Sequence, residues 1–79
     1  MDITVKLLAT VRRYQPQLAP GESLTLTISA GTTVSQVLER LGIPTGAAVF
    51  AMVNTRVRKP DHVVSEGDTL SVFPPVAGG

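Results

Sequence analysis

One stretch of this 79-residue chain carries the spacing of a full helix, and the segments around it alternate or break as strands and turns do. Val34, Val37, Leu38 and Leu41 recur at i, i+3, i+4 and i+7, which places them on one side of a single amphipathic helix. Thr33 and Gln36 have the spacing of a capping box at its start. Gly42 follows the last apolar position, where a left-handed residue closes a helix, and Pro44 cannot continue one. The helix is therefore expected to end near Leu41.

On either side the period drops to two. Ile3, Val5 and Leu7 alternate with Thr4 and Lys6, and Leu24, Leu26 and Ile28 alternate with Thr25 and Thr27, so two strands with one buried face each are expected to pair. Pro16 and the Ala19-Pro20-Gly21-Glu22 run make their connection longer than a tight hairpin, with a short helical turn around Thr10 to Tyr14. Val49 to Val53, bounded by Gly46 and Asn54, is too short for a buried helix and reads as a strand. Asn54-Thr55 turns the chain into a short piece at Arg56 to Arg58, Pro60-Asp61 breaks it, and Glu66-Gly67-Asp68 turns it into a last strand, Thr69 to Phe73. With two Phe, one Tyr and no Trp, the core must come from Val, Leu and Ile. The expected fold class is α+β, with one main helix packed on one face of a small mixed sheet. Residues 1–73 form the domain in this reading, and residues 74–79 an extended tail.

Composition narrows the chemistry. The chain has no cysteine, hence no thiolate metal site and no nucleophilic thiol. A net charge of +1 gives no general case for nucleic acid or membrane partners, and no apolar run approaches membrane-spanning length. The N-terminal residues lack the pattern of a signal peptide, so a cytoplasmic location is expected. Arg56, Arg58 and Lys59 form a local basic group, read as a solvated sheet edge in preference to a docking surface. His62 beside Asp61 is the only histidine; no nucleophile or third polar group completes a site around it, and it reads as a loop residue.

The tail carries the most specific chemistry. Pro74 has no N–H for a sheet ladder, and Pro74-Pro75 makes the next stretch stiff and extended. Six residues from Pro74 to Gly79 reach roughly 20 Å at about 3.3 Å each, enough to enter another protein's cleft. Gly78 and Gly79 lack Cβ atoms, so the backbone there can pass a narrow channel while the terminal carboxylate meets a reagent. A carboxylate is ionised at neutral pH and is a poor electrophile until its oxygen becomes part of a leaving group. Acyl-adenylation by ATP would do this. The chain has no Gly-rich phosphate cradle, so it is expected to bind no cofactor itself and the ATP site is assigned to a partner.

Glu66-Gly67-Asp68, the strand to Phe73, and Pro74-Pro75-Val76-Ala77-Gly78-Gly79 resemble the ending of the MoaD/ThiS sulfur carriers of ubiquitin-like fold. The Pro-Pro-Val element is most similar to the branch containing the small subunit of molybdopterin synthase. Lys6 to Arg12 and Leu38 to Ile43 are similar to that family's first strand and helix, with Leu8 where relatives often carry Phe. The resemblance implies a β-grasp fold and an E1-like enzyme that adenylates Gly79. It also implies a thiocarboxylate in place of the carboxylate, with a sulfurtransferase as sulfur source. It further implies docking to a large synthase subunit, which uses the sulfur to build the dithiolene of molybdopterin. Gly79 is then the reacting group, and Phe73, Pro74, Pro75, Val76, Ala77 and Gly78 are the partner-binding residues. Phe73 has two readings, a buried strand-end residue, which is preferred, and an exposed anchor for a partner.

Three other readings share these residues. A protein modifier would join Gly79 to lysines of targets. A carrier for thiamine, cysteine or tungsten-cofactor pathways would keep the tail chemistry and change the receiving enzyme. An interaction module with an inert tail would use neither.

Overall fold

The computed structural model describes residues 1–44 and 48–75. The expected boundary at Gly46 and the tail residues Val76 to Gly79 lie outside the described residues. Strand β1 (Asp2–Leu7) runs into a 3-10 segment, η1 (Ala9–Tyr14), then β2 (Ser23–Thr27), helix α1 (Val34–Arg40), β3 (Phe50–Val53), β4 (Arg56–Arg58) and β5 (Thr69–Phe73). The five strands form one mixed sheet in the order β2-β1-β5-β3-β4. β1 pairs antiparallel with β2 and parallel with β5, and β3 pairs antiparallel with both β5 and β4. This is the expected α+β arrangement, the β-grasp.

The helix forms where its signals place it. Thr33 Oγ1 accepts from the Gln36 N–H at 3.3 Å, and Gln36 Oε1 accepts from the Thr33 N–H at 2.9 Å, so the capping box is complete. At the other end Gly42 takes φ +82, and Ile43 N–H donates back to the Leu38 carbonyl while Gly42 N–H donates to that of Glu39. That closure drops Ile43 into the core, where it is buried.

Alternation decides what each strand buries. Ile3, Val5 and Leu7 of β1, Leu70 and Val72 of β5, and Ala51 and Val53 of β3 are buried with Val34, Val37 and Leu41 of the helix and its cap. Val11, Ile28, Val64 and Ile43 complete the cluster from the connections. Each fully buried aliphatic side chain contributes about 1.5–3 kcal/mol against exposure, and no polar side chain is buried among the described residues to offset it. Two details differ from the sequence reading. β2 stops at Thr27, one residue before Ile28, whose N–H instead donates to the Met1 carbonyl at 2.7 Å. Leu24 and Leu26 are only half-buried, because β2 is an edge strand and the helix does not cover it fully.

The turn before β5 is a hydrogen-bonding hub. Asp68 Oδ2 accepts from the Ser65 N–H at 2.8 Å and Oδ1 accepts from Asn54 Nδ2 at 3.1 Å. The Asn54 side-chain oxygen accepts in turn from the Thr69 N–H, and the Asn54 N–H donates to the Thr69 carbonyl. Asn54 takes φ +58, a conformation asparagine tolerates better than most residues with a Cβ, in the two-residue loop between β3 and β4. Glu66 accepts from the Asp2 N–H, and Gly67 N–H donates to the Asp2 carbonyl. The hairpin, β1 and the start of β5 are thereby tied at one point, which fixes the direction in which β5 leaves.

Candidate functional site: the open sheet face and the root of the arm

Because α1 covers one face of the sheet, the other faces outward. Strand register places its occupants. Phe50 is paired with Phe73, Met52 with both Ser71 and Val57, and Lys6 with Ser71 and Ser23. Phe73 therefore lies in line with Phe50, and their ring centroids are 5.8 Å apart at an interplanar angle of 31°. Leu8, one residue beyond β1, donates its N–H to the Val72 carbonyl and extends the same row.

Three of these residues are well exposed for apolar side chains: Leu8 at 43%, Phe50 at 45% and Val57 at 59%. Met52 and Phe73 are half-buried beside them. Contiguous exposed apolar side chains are a feature of interaction surfaces. Phe73 thus fits neither of its two sequence readings alone: it is half-buried and packs against Phe50. The alternation from Val49 to Val53 held the signal for Phe50 and Met52, since Ala51 and Val53 face the core. Only the pairing of β3 with β5 shows that Phe50 meets Phe73.

The arm leaves at the border of this patch. Pro74 is half-buried and Pro75 exposed, and both line a cleft of about 270 Å³ with Val11, Tyr14 and Val49. The guanidinium of Arg13 lies 5.2 Å from the Tyr14 ring centroid and donates to its hydroxyl, which stiffens this side of the cleft. The expected tail residues Val76, Ala77, Gly78 and Gly79 lie outside the described residues, so the structure positions Pro74 and Pro75 and not the Gly-Gly ending.

The remaining candidates stay apart from this surface. His62 is half-buried in the connection after β4, and its backbone carbonyl accepts from the Val34 N–H. Among the described residues no group of three or more His, Asp or Glu side chains is placed to hold a metal, and no helix is long and apolar enough to cross a membrane. Glu66-Gly67-Asp68, part of the motif behind the family resemblance, is occupied by the hydrogen bonds of the hub.

Solved structures with the same fold include SAMP1 from Haloferax volcanii, at 18% identity and a TM-score of 0.76 with both chains covered in full. A putative molybdopterin converting factor subunit 1 from Pyrococcus furiosus aligns at 22% identity and a TM-score of 0.75, over 95% of this chain and 98% of the other. The HVO 2177 protein of Haloferax volcanii aligns at 27% identity and a TM-score of 0.76, over all of this chain and 87% of the other. No curated protein sequence matches the chain. The ThiS family model matches residues 5–79, spanning the sheet, the helix and the Gly-Gly ending, and the chain belongs to the ThiS family of ubiquitin-like carrier proteins.

Proposed function

We propose that this protein is a sulfur carrier of molybdopterin biosynthesis. An E1-like partner docks on the apolar half of the open face and takes the arm into its ATP site. One oxygen of the Gly79 carboxylate attacks the α-phosphorus of ATP and pyrophosphate leaves, which gives an acyl adenylate. The terminal sulfur of a sulfurtransferase persulfide then displaces AMP to give an acyl disulfide, and a thiol reductant cleaves its S–S bond, taking the donor's sulfur and leaving the thiocarboxylate on Gly79. The large subunit of a molybdopterin synthase receives the same arm and uses the sulfur for the dithiolene. This chain's own contribution is to present, hold and fit: Phe73 and Phe50 anchor the partner, Pro74-Pro75 stiffen the backbone that leads to the terminus, and Gly78 lets the backbone through.

The observation that carries this reading is the position of Phe73. It is at once the last residue of an internal strand, half of the aromatic pair on the open face and the neighbour of Pro74-Pro75. The Pyrococcus neighbour, whose title names a molybdopterin converting factor, supports the choice of pathway. The cysteine-free sequence is compatible with carriage of sulfur on the main chain.

A second reading has its own support. Two structures similar to this chain are SAMP1 and small archaeal modifier protein 1 of Haloferax volcanii, and the same activated Gly79 could be captured by a lysine amine. Intact-mass measurement of protein made in its own cells separates the two. Oxygen-to-sulfur exchange at the C-terminus is expected for the carrier, and conjugates on other proteins for the modifier. Deleting Gly79 should abolish activation and leave the melting temperature unchanged; a deletion variant that still accepts sulfur overturns both.

A further inference from the structure

The two edges of the sheet would receive a second copy of this chain in opposite ways. At one edge, β4 is three residues long and carries Arg56 and Arg58. A copy of β4 laid antiparallel against it sets Arg56 opposite Arg58 and is repelled. At the other edge, β2 runs Ser23-Leu24-Thr25-Leu26-Thr27 with no charged residue and no proline, so it lacks the devices by which edge strands refuse a neighbour. We propose that β2 pairs antiparallel with β2 of a second copy about a two-fold axis at Thr25, which joins the two sheets into one.

Three observations converge on that occupant. The first is which backbone groups are free. The Met1 nitrogen donates to the Ile28 carbonyl at 2.9 Å and the Ile28 N–H donates back to that of Met1 at 2.7 Å, so this pair exchanges both its bonds. Alternation along the ladder then makes Ile3 with Leu26 and Val5 with Leu24 the bonded pairs, and it turns the N–H and C=O of Ser23, Thr25 and Thr27 outward. Among the described residues no strand pairs with that side. In the proposed register Thr25 exchanges both bonds with Thr25 of the second copy, and Ser23 does so with Thr27. The second observation is the side chains. Leu24 and Leu26 lie on the helix side and are half-buried. The register sets Leu24 opposite Leu26 of the second copy on both sides of the axis, so each copy covers apolar area that α1 leaves open. The third is charge. Arg40 Nη1 donates to the Thr27 carbonyl at 2.6 Å, and Glu22 directly precedes Ser23. Pairing Ser23 with Thr27 therefore brings Glu22 of each copy to Arg40 of the other. The Thr27 carbonyl keeps a second lone pair for the incoming Ser23 N–H.

The axis stands perpendicular to the sheet, so both helices lie on one side and both open faces on the other. Strand order places each β5 third from the axis, and five spacings of about 4.8 Å separate the two by roughly 24 Å. They run in opposite directions, so each Pro74 is reached without contact with the other copy. The pairing spans five residues a side, which puts it at the low end of interface sizes and makes the dimer weak and concentration-dependent.

The test is sedimentation of the full chain from about 10 μM to about 1 mM, with amide spectra of the ¹⁵N-labelled protein over the same range. A monomer–dimer equilibrium is expected there, with concentration-dependent shifts at Ser23, Thr25 and Thr27. T25P removes an N–H that points away from β1, and it should weaken the dimer at least about tenfold while keeping the β1–β2 ladder. Should T25P fail to fold, T25K decides, because it sets like charges face to face at the axis and should weaken the dimer by a similar factor. E22R and R40E should each associate about tenfold more weakly alone and recover when mixed with one another, since the mixed dimer has opposite charges at both ends. A monomer at every concentration, shifts centred on Phe50 and Phe73, association unchanged by the Thr25 substitutions, or a mixture of the two charge variants no tighter than either alone each overturn the proposal. None of these outcomes bears on sulfur transfer at Gly79, which is read separately by mass.

Discussion

The two halves of the open sheet face are built on the same backbone plan and differ in what they offer. On β1 and β2 the outward residues are Asp2, Thr4, Lys6, Ser23, Thr25 and Thr27, with Thr27 Oγ1 donating to Asp2 Oδ1 at 2.8 Å. On β5, β3 and β4 they include Phe73, Phe50, Met52 and Val57, continued by Leu8. The first half is the ordinary solvated face of an antiparallel pair. The second leaves a neighbouring set of apolar side chains in water, the kind of surface found where proteins meet other molecules. The contrast separates the ordinary polar part of the face from the part proposed to meet a partner, and Pro74 follows from the second.

Substitutions can break this division or sharpen it. Leu70 faces the core on the strand that carries Phe73, and Leu70→Ala should cost about 3 kcal/mol in chemical denaturation while the folded fraction is still activated normally. Phe73→Ala should do the reverse. Adenylation by the activating enzyme should fall roughly thirtyfold in kcat/KM, about 2 kcal/mol, with a stability change under about 1 kcal/mol; a large loss of stability with unchanged kcat/KM would erase the distinction. Asp68→Ala removes the acceptor shared by Ser65 and Asn54 and should cost about 1–2 kcal/mol, seen as a lowered melting temperature with a smaller effect on activation. At the other end of the scale, Thr25→Lys on the polar half should change both stability and kcat/KM by less than about 0.5 kcal/mol. A strong effect there would extend the docking surface across the whole face.

Much of this was legible in the sequence because the controlling interactions are local. The capping box spans Thr33 to Gln36, the helix closure spans Leu38 to Ile43, and strand alternation is read residue by residue. What required the structure was information carried between distant segments. Nothing within β3 or β5 states that Phe50 will face Phe73, since their register is set by core residues on the opposite side of both strands. The tie between Asn54 and Asp68 links residues fourteen positions apart, and short polar residues in two turns give no sign of which partner each will find. The half-burial of Leu24 and Leu26 follows from β2 lying at the sheet edge, a property of strand order that alternation does not encode.

The same strand order determines how the molecule bears mechanical load. β5 lies inside the sheet, parallel to β1 and antiparallel to β3, and the arm continues from its end. A partner drawing on the chain beyond Phe73 pulls β5 lengthwise, so the ladders on both sides are strained together in shear. Had the arm followed an edge strand such as β4, the same pull could peel hydrogen bonds away one at a time. Tension applied at Pro74 is therefore resisted by two ladders at once, and the domain holds together under a pull that would unzip an edge strand.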